Sequence, residues 1–320
     1  MMAVRCDIGR RAQVMRRPGL LFLVAALALA GCGPSHVTEA GRPSTSSVDA
    51  SQQAAIAAEV ARLRGDLARE VPRAIMPEAS SDAVWIALAE RQLGASSVTI
   101  DYAQLLVVVD RNPARQELRI LLAQPANQPW YVIGGSKVST GQAARRGYFI
   151  TPTGVFAHQS DILDYRALGT FNENHIRGLG LKGMRVWDFG WQTARKGWLA
   201  DDDTAEIRLQ MHATDPDYLE QRLGRPASQG CIRVPARMNR FLDFHGVLDA
   251  DYERAAGDDA RFAAILLPER EPTKLAGDLL VVVDSSSAAR ALPASRARPA
   301  VAQAGRHLDA RQGRHMESSC

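Results

Sequence analysis

The hexapeptide LLVVVD occurs twice, at 105–110 and again at 279–284. Two leucines and three valines in a row are too short for a helix, and they lack the polar alternation of a half-exposed strand. β-Branched side chains are stiff at χ1 and suit a pleated surface, so both copies read as buried strands. No other matching period links the copies, which argues for two strands of one sheet-rich fold and against a repeat array. Between them the turn-prone RNPAR leads into QELRILLA, and WYVIGGSKVSTG (130–141) and RGYFITPTGVF (146–156) continue as strands punctuated by Gly and Pro. Residues 157–200 are mixed and carry Trp187, Trp191 and Trp198. Trp187 and Trp191 stand four apart, a spacing that fits either a packed helical face or a lid over a bound peptide. The region 98–284 is thus expected to be mainly β.

Upstream of the sheet the period changes. Ile56, Val60, Leu63 and Leu67 recur at helical spacing, which predicts a helix over about 53–70. A second helix is predicted from Ser80 or Ser81 as N-cap to just before Gly94. Residues 53–97 therefore read as a small helical accessory segment packed against the sheet. Residues 33–52 are rich in Ser, Gly, Pro and Thr and read as a flexible tether, and 285–320 as a disordered tail.

Residues 1–31 hold five arginines against one aspartate, which is the whole formal charge of +4. The remainder is neutral, so no basic patch argues for nucleic acid. An arginine-rich start followed by GLLFLVAALALAG reads as a signal peptide, shorter than the ~20 apolar residues of a spanning helix. It ends in LAGC, which resembles a bacterial lipobox with Cys32 as the lipidated first residue of the mature chain. That resemblance implies a lipid-anchored protein of the cell envelope facing the periplasm, and Gly33 after the cysteine favours the outer membrane. The alternative is an ordinary secretory signal, or a short anchor, with Cys32 incidental.

Four cysteines, at 6, 32, 231 and 320, give neither a disulfide framework nor a CxxC site. Cys231 stands out, in GRPASQGCIRVP. A thiol attacks a carbonyl as thiolate and needs a base or a positive charge beside it. His212 is the best-placed base. It follows the strand-like AEIRLQM and is separated from Cys231 by a connection long enough for a loop and a short helix. Gly230 allows close backbone approach, and the amides of Gly230 and Cys231 are candidates for an oxyanion site. Zinc at His212, Asp215 and Cys231 lacks a further His or Cys at ligand spacing, so no metal is expected. His158, His175 and His245 are expected in surface or packing roles.

The segment MHATDPDYLEQRLGRPASQGCIRVP resembles the signature of L,D-transpeptidases of the YkuD type, in which His precedes Ser/Thr-His-Gly-Cys by 14–17 residues and Arg or Asn follows. Here fifteen residues separate His212 from Ser228. VSTG (138–141) and TPTGVF (151–156) resemble the strand and turn that precede that active site. The resemblance covers most of 98–270. It implies a mixed β-sandwich or barrel-like catalytic domain, no cofactor, and action on peptidoglycan stem peptides. Cys231 is then the nucleophile and His212 the acid–base group, oriented by the Ala213 carbonyl. The expected product is a thioester at the third stem residue with release of D-alanine, resolved by an acceptor amine. Ser228 is expected to order the loop, and Arg233 to meet either a substrate carboxylate or a structural salt-bridge partner. Gln229 stands where the family has His, and an amide cannot carry the proton charge of an imidazole. Ala213 stands where Gly is frequent, which leaves its carbonyl unchanged.

Two other outcomes share these residues: water as acceptor, giving a carboxypeptidase or endopeptidase, and a non-catalytic wall-binding lipoprotein. Sortase-like enzymes place their Arg on a separate strand well beyond the cysteine. Papain-like peptidases place Cys before His. The sequence does not indicate an oligomeric state.

Overall fold

The computed structural model describes residues 45–286 apart from residue 201. The signal segment, Cys32 and the tail from 287 onward lie outside the described residues. Two helices come first, α1 (Thr45–Glu70) and α2 (Ala79–Gly94). They are followed by strands β1 (Gln104–Asp110), β2 (Glu117–Ala123), β3 (Tyr131–Lys137), β4 (Gly154–Ala157), β5 (Tyr165–Arg166), β6 (Arg185–Arg195) and β7 (Thr204–Ala213). A 3-10 turn at Glu220–Arg222 leads to β8 (Ile232–Val234), then α3 (Ala236–Phe244), α4 (Ala250–Ala255), α5 (Ala260–Ile265) and β9 (Leu279–Val283). Among the described residues no helix is long and apolar enough to cross a membrane.

The strands form two mixed sheets. The first has the order β3-β2-β1-β9-β4, and the second β5-β6-β7-β8. The two LLVVVD copies lie side by side as parallel β1 and β9, with Leu106 opposite Leu279 and Val108 opposite Val281. Their unbroken apolar character has a direct cause, because both faces are covered. Leu105, Val107, Val109, Leu280 and Val282 join a core shared with Trp187, Leu209, Met211, Ile232 and Val234 of the second sheet. Leu106, Val108, Leu279, Val281 and Val283 face the other way, onto Trp85, Leu88, Ala89 and Leu93 of α2.

The helical stripe read from the sequence, Ile56, Val60, Leu63 and Leu67, enters the core between the sheets. The segment 53–97 is therefore not a layer apart, and the described residues from Val48 to Ser286 fall in one compact unit. Two boundaries differ from expectation. α1 begins at Thr45, within the stretch expected as tether. α2 begins at Ala79, one residue before the expected caps, and Glu78 holds the N-cap position with extended backbone. The cap bond there runs from the Glu78 amide to Asp82 Oδ1 at 3.2 Å, so the helix is stapled by a side chain inside it.

Trp187 and Trp191 both lie on β6, not on a helix. On a regular strand a spacing of four keeps one face. The register with β7 shifts between Asp188 and Trp191, however, and an extra residue there reverses the facing. Trp187 is buried in the core. Trp191 stands 64% exposed on the opposite face.

A cluster of buried charges ties the second sheet to the helices after it. Arg185 reaches Asp164 (2.8 Å), Asp249 (3.1 Å) and Asp243 (3.5 Å). His158 meets Asp164 through Nε2 at 2.9 Å and the Leu248 carbonyl through Nδ1 at 2.8 Å. A carbonyl can only accept, so Nδ1 donates. Burial opposes charge on this ring, but the Asp164 carboxylate outweighs it and holds the pKa of His158 above its ordinary value.

Candidate active site

Strand alternation decides which side chains share the surface outside the second sheet. Leu209 and Met211 of β7 point into the core, so Arg208, Gln210 and His212 point outward. Ile232 and Val234 of β8 also point inward, which turns Arg233 outward. The parallel register sets Met211 beside Ile232 and His212 beside Arg233. Cys231 immediately precedes β8 and, continuing that register, comes beside Gln210. Its Sγ lies 3.9 Å from the Arg208 carbonyl. Cys231 alternates with the inward-facing Ile232 as Arg233 does, which puts Cys231 on the same side of the sheet as His212.

His212 is buried, and its Nδ1 donates to the carbonyl of Ala213 at 2.7 Å. That bond fixes the tautomer and leaves the Nε2 lone pair as the acceptor. Burial depresses the His212 pKa to about 4, with the Arg233 charge adding to the effect and the Ala213 carbonyl opposing it. The ring is therefore a neutral base at pH 7. The Cys231 thiol is pushed above its ordinary pKa by burial, against the Gln210 backbone amide and the Arg233 guanidinium, which pull it down. At rest the pair is thiol and neutral imidazole, not an ion pair.

Arg233 is half-buried. Its Nη1 donates to the Ala227 carbonyl at 3.3 Å, while its Nε is buried without a partner. No carboxylate among the described residues pairs with it, which removes the structural salt-bridge reading. A half-buried cation with spare donors is a site prepared for an anion.

The loop that presents the cysteine is tightly specified. Gly230 adopts φ +133°, and a Cβ there would come within 2.7 Å of Ile207 Cδ1, so both backbone and space require glycine. The Gly230 amide does not face the reaction side as expected. It donates to Ser228 Oγ at 3.1 Å, and Ser228 Oγ in turn donates to the Cys231 carbonyl at 2.5 Å. Ser228 thus orders the loop, and the amide of Cys231 itself is left as the oxyanion candidate. Gln229 is exposed, and its side chain makes no hydrogen bond among the described residues; only its carbonyl is used, by the Phe149 amide at 3.3 Å.

Several residues that brace this loop carry no signal in a single sequence beyond the VSTG and TPTGVF segments in which three of them lie. Thr151 Oγ1 donates to the Gly230 carbonyl at 2.7 Å and accepts from the Gly141 amide at 2.8 Å. Ser228 exchanges backbone bonds with Thr140 and Gln142, each at 3.0 Å. The buried Gln116 amide clamps Thr140 at both its backbone amide (2.7 Å) and its hydroxyl (2.8 Å). Trp198 packs edge-to-face on Phe149, with ring centroids 5.2 Å apart, behind the same loop.

Around the thiol the outward face adds Asp188, Tyr165 and Arg208, none of them singled out by sequence. Both Asp188 oxygens accept from Arg208 Nε at 2.9 Å, and Gln210 donates to one of them at 2.8 Å. The Tyr165 hydroxyl donates to Gln210 Oε1 at 3.3 Å. Asp215 accepts the amides of Arg177, Asp217 and Tyr218, so it is a turn residue and not a ligand. Of the other histidines, His158 and His245 are buried and His175 is exposed. Asp66, Glu70 and His245 bring possible ligand atoms within 4.8 Å of one another. Arg62 and Arg69 already pair with Asp66, which satisfies that cluster without a cation.

No family model matches the chain, and no curated protein does so.

Proposed function

We propose that this protein is a cysteine-dependent L,D-transpeptidase acting on peptidoglycan tetrapeptide stems. The observation that carries the reading is the pairing of His212 with the Ala213 carbonyl on the same face as Cys231. It leaves an unprotonated Nε2 available to a thiol at neutral pH. The thiol turns from the Arg208 carbonyl toward His212 Nε2 and gives up its proton as sulfur attacks the carbonyl carbon of the third stem residue. The Cys231 amide faces the oxygen as it gains charge. Arg233 steadies the thiolate and meets the terminal carboxylate of the departing D-alanine. The C–N bond breaks, the His212 imidazolium protonates the leaving amine, and a thioester remains. An acceptor amine then attacks, His212 takes its proton, and the C–S bond breaks.

Exposed aromatic side chains flank the proposed site and offer contacts for a peptide. Tyr165 lies beside Gln210 and Trp191 beside Arg208 on the site face, and Phe171 and Tyr218 are also exposed. Incubation with disaccharide tetrapeptide should release D-alanine and leave an acyl adduct on Cys231, detected as intact mass. Cys231→Ala should abolish both, and His212→Ala should slow release by about a hundredfold or more. Unchanged release in the Cys231→Ala protein rules the reading out.

A further inference from the structure

We propose that Arg208, oriented by Asp188 and backed by Trp191, is a specificity subsite for a carboxylate on the part of the donor that stays attached to Cys231. The inference rests on the transpeptidase reading above and names what that site selects.

The direction of the bound stem follows from the order of residues along β7. His212 must protonate the leaving amine, so the departing residue lies toward the His212–Arg233 end. Cys231 is beside Gln210, in the middle. The retained acyl part must then run the other way, over Arg208. Both oxygens of the buried Asp188 accept from Arg208 Nε at 2.9 Å, which anchors the inner edge of the guanidinium. Its two terminal amino groups have no hydrogen-bond partner among the described residues, and the side chain is 39% exposed. The fork is therefore anchored at Nε with its outer edge free, and that edge can bind a carboxylate through two parallel bonds. Asp188 does not repel such a ligand strongly. Its oxygens are already occupied by Arg208, Gln210 and the Gly190 amide, at 2.8–2.9 Å. The Trp191 ring, its centroid 5.8 Å from the Arg208 guanidinium carbon, walls the fork off from water on one side. The β6 bulge turns that ring outward to where Arg208 stands. A chain of hydrogen bonds from the Tyr165 hydroxyl through Gln210 to Asp188 and Arg208 ties these groups into one patch.

The retained part of a stem offers two carboxylates of the same chemistry, one on the side chain of the third residue and one on the second residue. The test is made in the full chain carrying Cys231→Ala, so that binding is read without turnover. Calorimetry compares disaccharide tetrapeptide with free carboxylates against donors amidated at the third or at the second residue. The unaltered Arg208 should discriminate against one of the two amides, and that amide identifies the carboxylate. Arg208→Gln should weaken the free donor about tenfold or more and erase the discrimination. Arg208→Lys should restore part of the affinity, since a point charge replaces a fork. In the otherwise unaltered enzyme, the Arg208→Gln loss should appear mainly in KM. Equal weakening of free and amidated donors overturns the proposal, as does equal affinity of the parent protein for all three. Failure of the parent to bind any donor overturns it too. Absence of D-alanine release with carboxylate-dependent binding retained sinks the transpeptidase reading alone.

Discussion

A histidine whose pKa is held near 4 keeps its lone pair in moderate acid, and this sets the pH behaviour expected of the proposed transpeptidase. The active form needs neutral His212. As pH falls, the base is lost only when the ring protonates, so the acid limb of kcat/KM is expected near 4 and not near the ordinary 6.5. Arg233 lowers both His212 and Cys231. Its replacement by Met should raise both, moving the acid limb toward 6.5 and the alkaline limb further up. A pH–rate series on the two proteins checks this, and a parent limb centred at 6.5 contradicts it. At this scale Cys231 and His212 stood out as candidates because a proposed nucleophile and base must be residues of those types. Arg208, Asp188 and Tyr165 were not, since each comes near the sulfur only through strand register.

Elements decide what the sequence reading missed. The spacing of Trp187 and Trp191 is ambiguous until the bulge in β6 is known, and a bulge is a property of pairing, not of one strand's composition. The cysteine loop is a second case. It has little regular structure of its own and is held by bonds from residues 116, 140, 141 and 151. Thr151→Val keeps the shape of the buried side chain but removes its hydroxyl. The Gly230 carbonyl and the Gly141 amide would then both lose a partner, at about 1–3 kcal/mol. Thermal unfolding should fall by several degrees. D-alanine release should fall more than tenfold at temperatures where the fold is intact, because the Cys231 amide and sulfur lose their positioning. A Thr151→Val protein with parental turnover would show that the loop holds itself. Secondary structure was more legible than these contacts: the buried-strand runs report an unbroken apolar stretch and the Ile56–Leu67 stripe a helical period, whereas the Glu78 amide bond to Asp82 at the start of α2 is a contact that propensity does not display.

Whether the helices are an appendage or part of the fold depends on where their apolar faces go. α1 places Leu63 and Leu67 in the core between the sheets. Its fit against β3 depends on Gly134, at φ +143°, where a Cβ would come within 2.5 Å of Leu67 Cδ2. The chain leaving α1 then closes the edge of β3, with Ile75 and Gly135 exchanging two backbone bonds of 2.8 Å. At the same end Arg237 Nε, on α3 after β8, donates to the Glu70 carbonyl at 3.1 Å, and His245 Nε2 meets the Glu70 carboxylate at 3.3 Å. One helix therefore touches the edge of the first sheet and the helix that follows the second. Leu67→Ala should cost about 2–5 kcal/mol, a large share of the ~5–15 kcal/mol that holds a domain folded. If α1 and the sheets are one cooperative body, urea should unfold that variant in a single transition at lower concentration, with tryptophan fluorescence and circular dichroism coincident. An appendage behaves differently. It would melt first and alone, as an early helical transition that leaves the fluorescence of the core Trp187 and the reactivity of Cys231 unmoved.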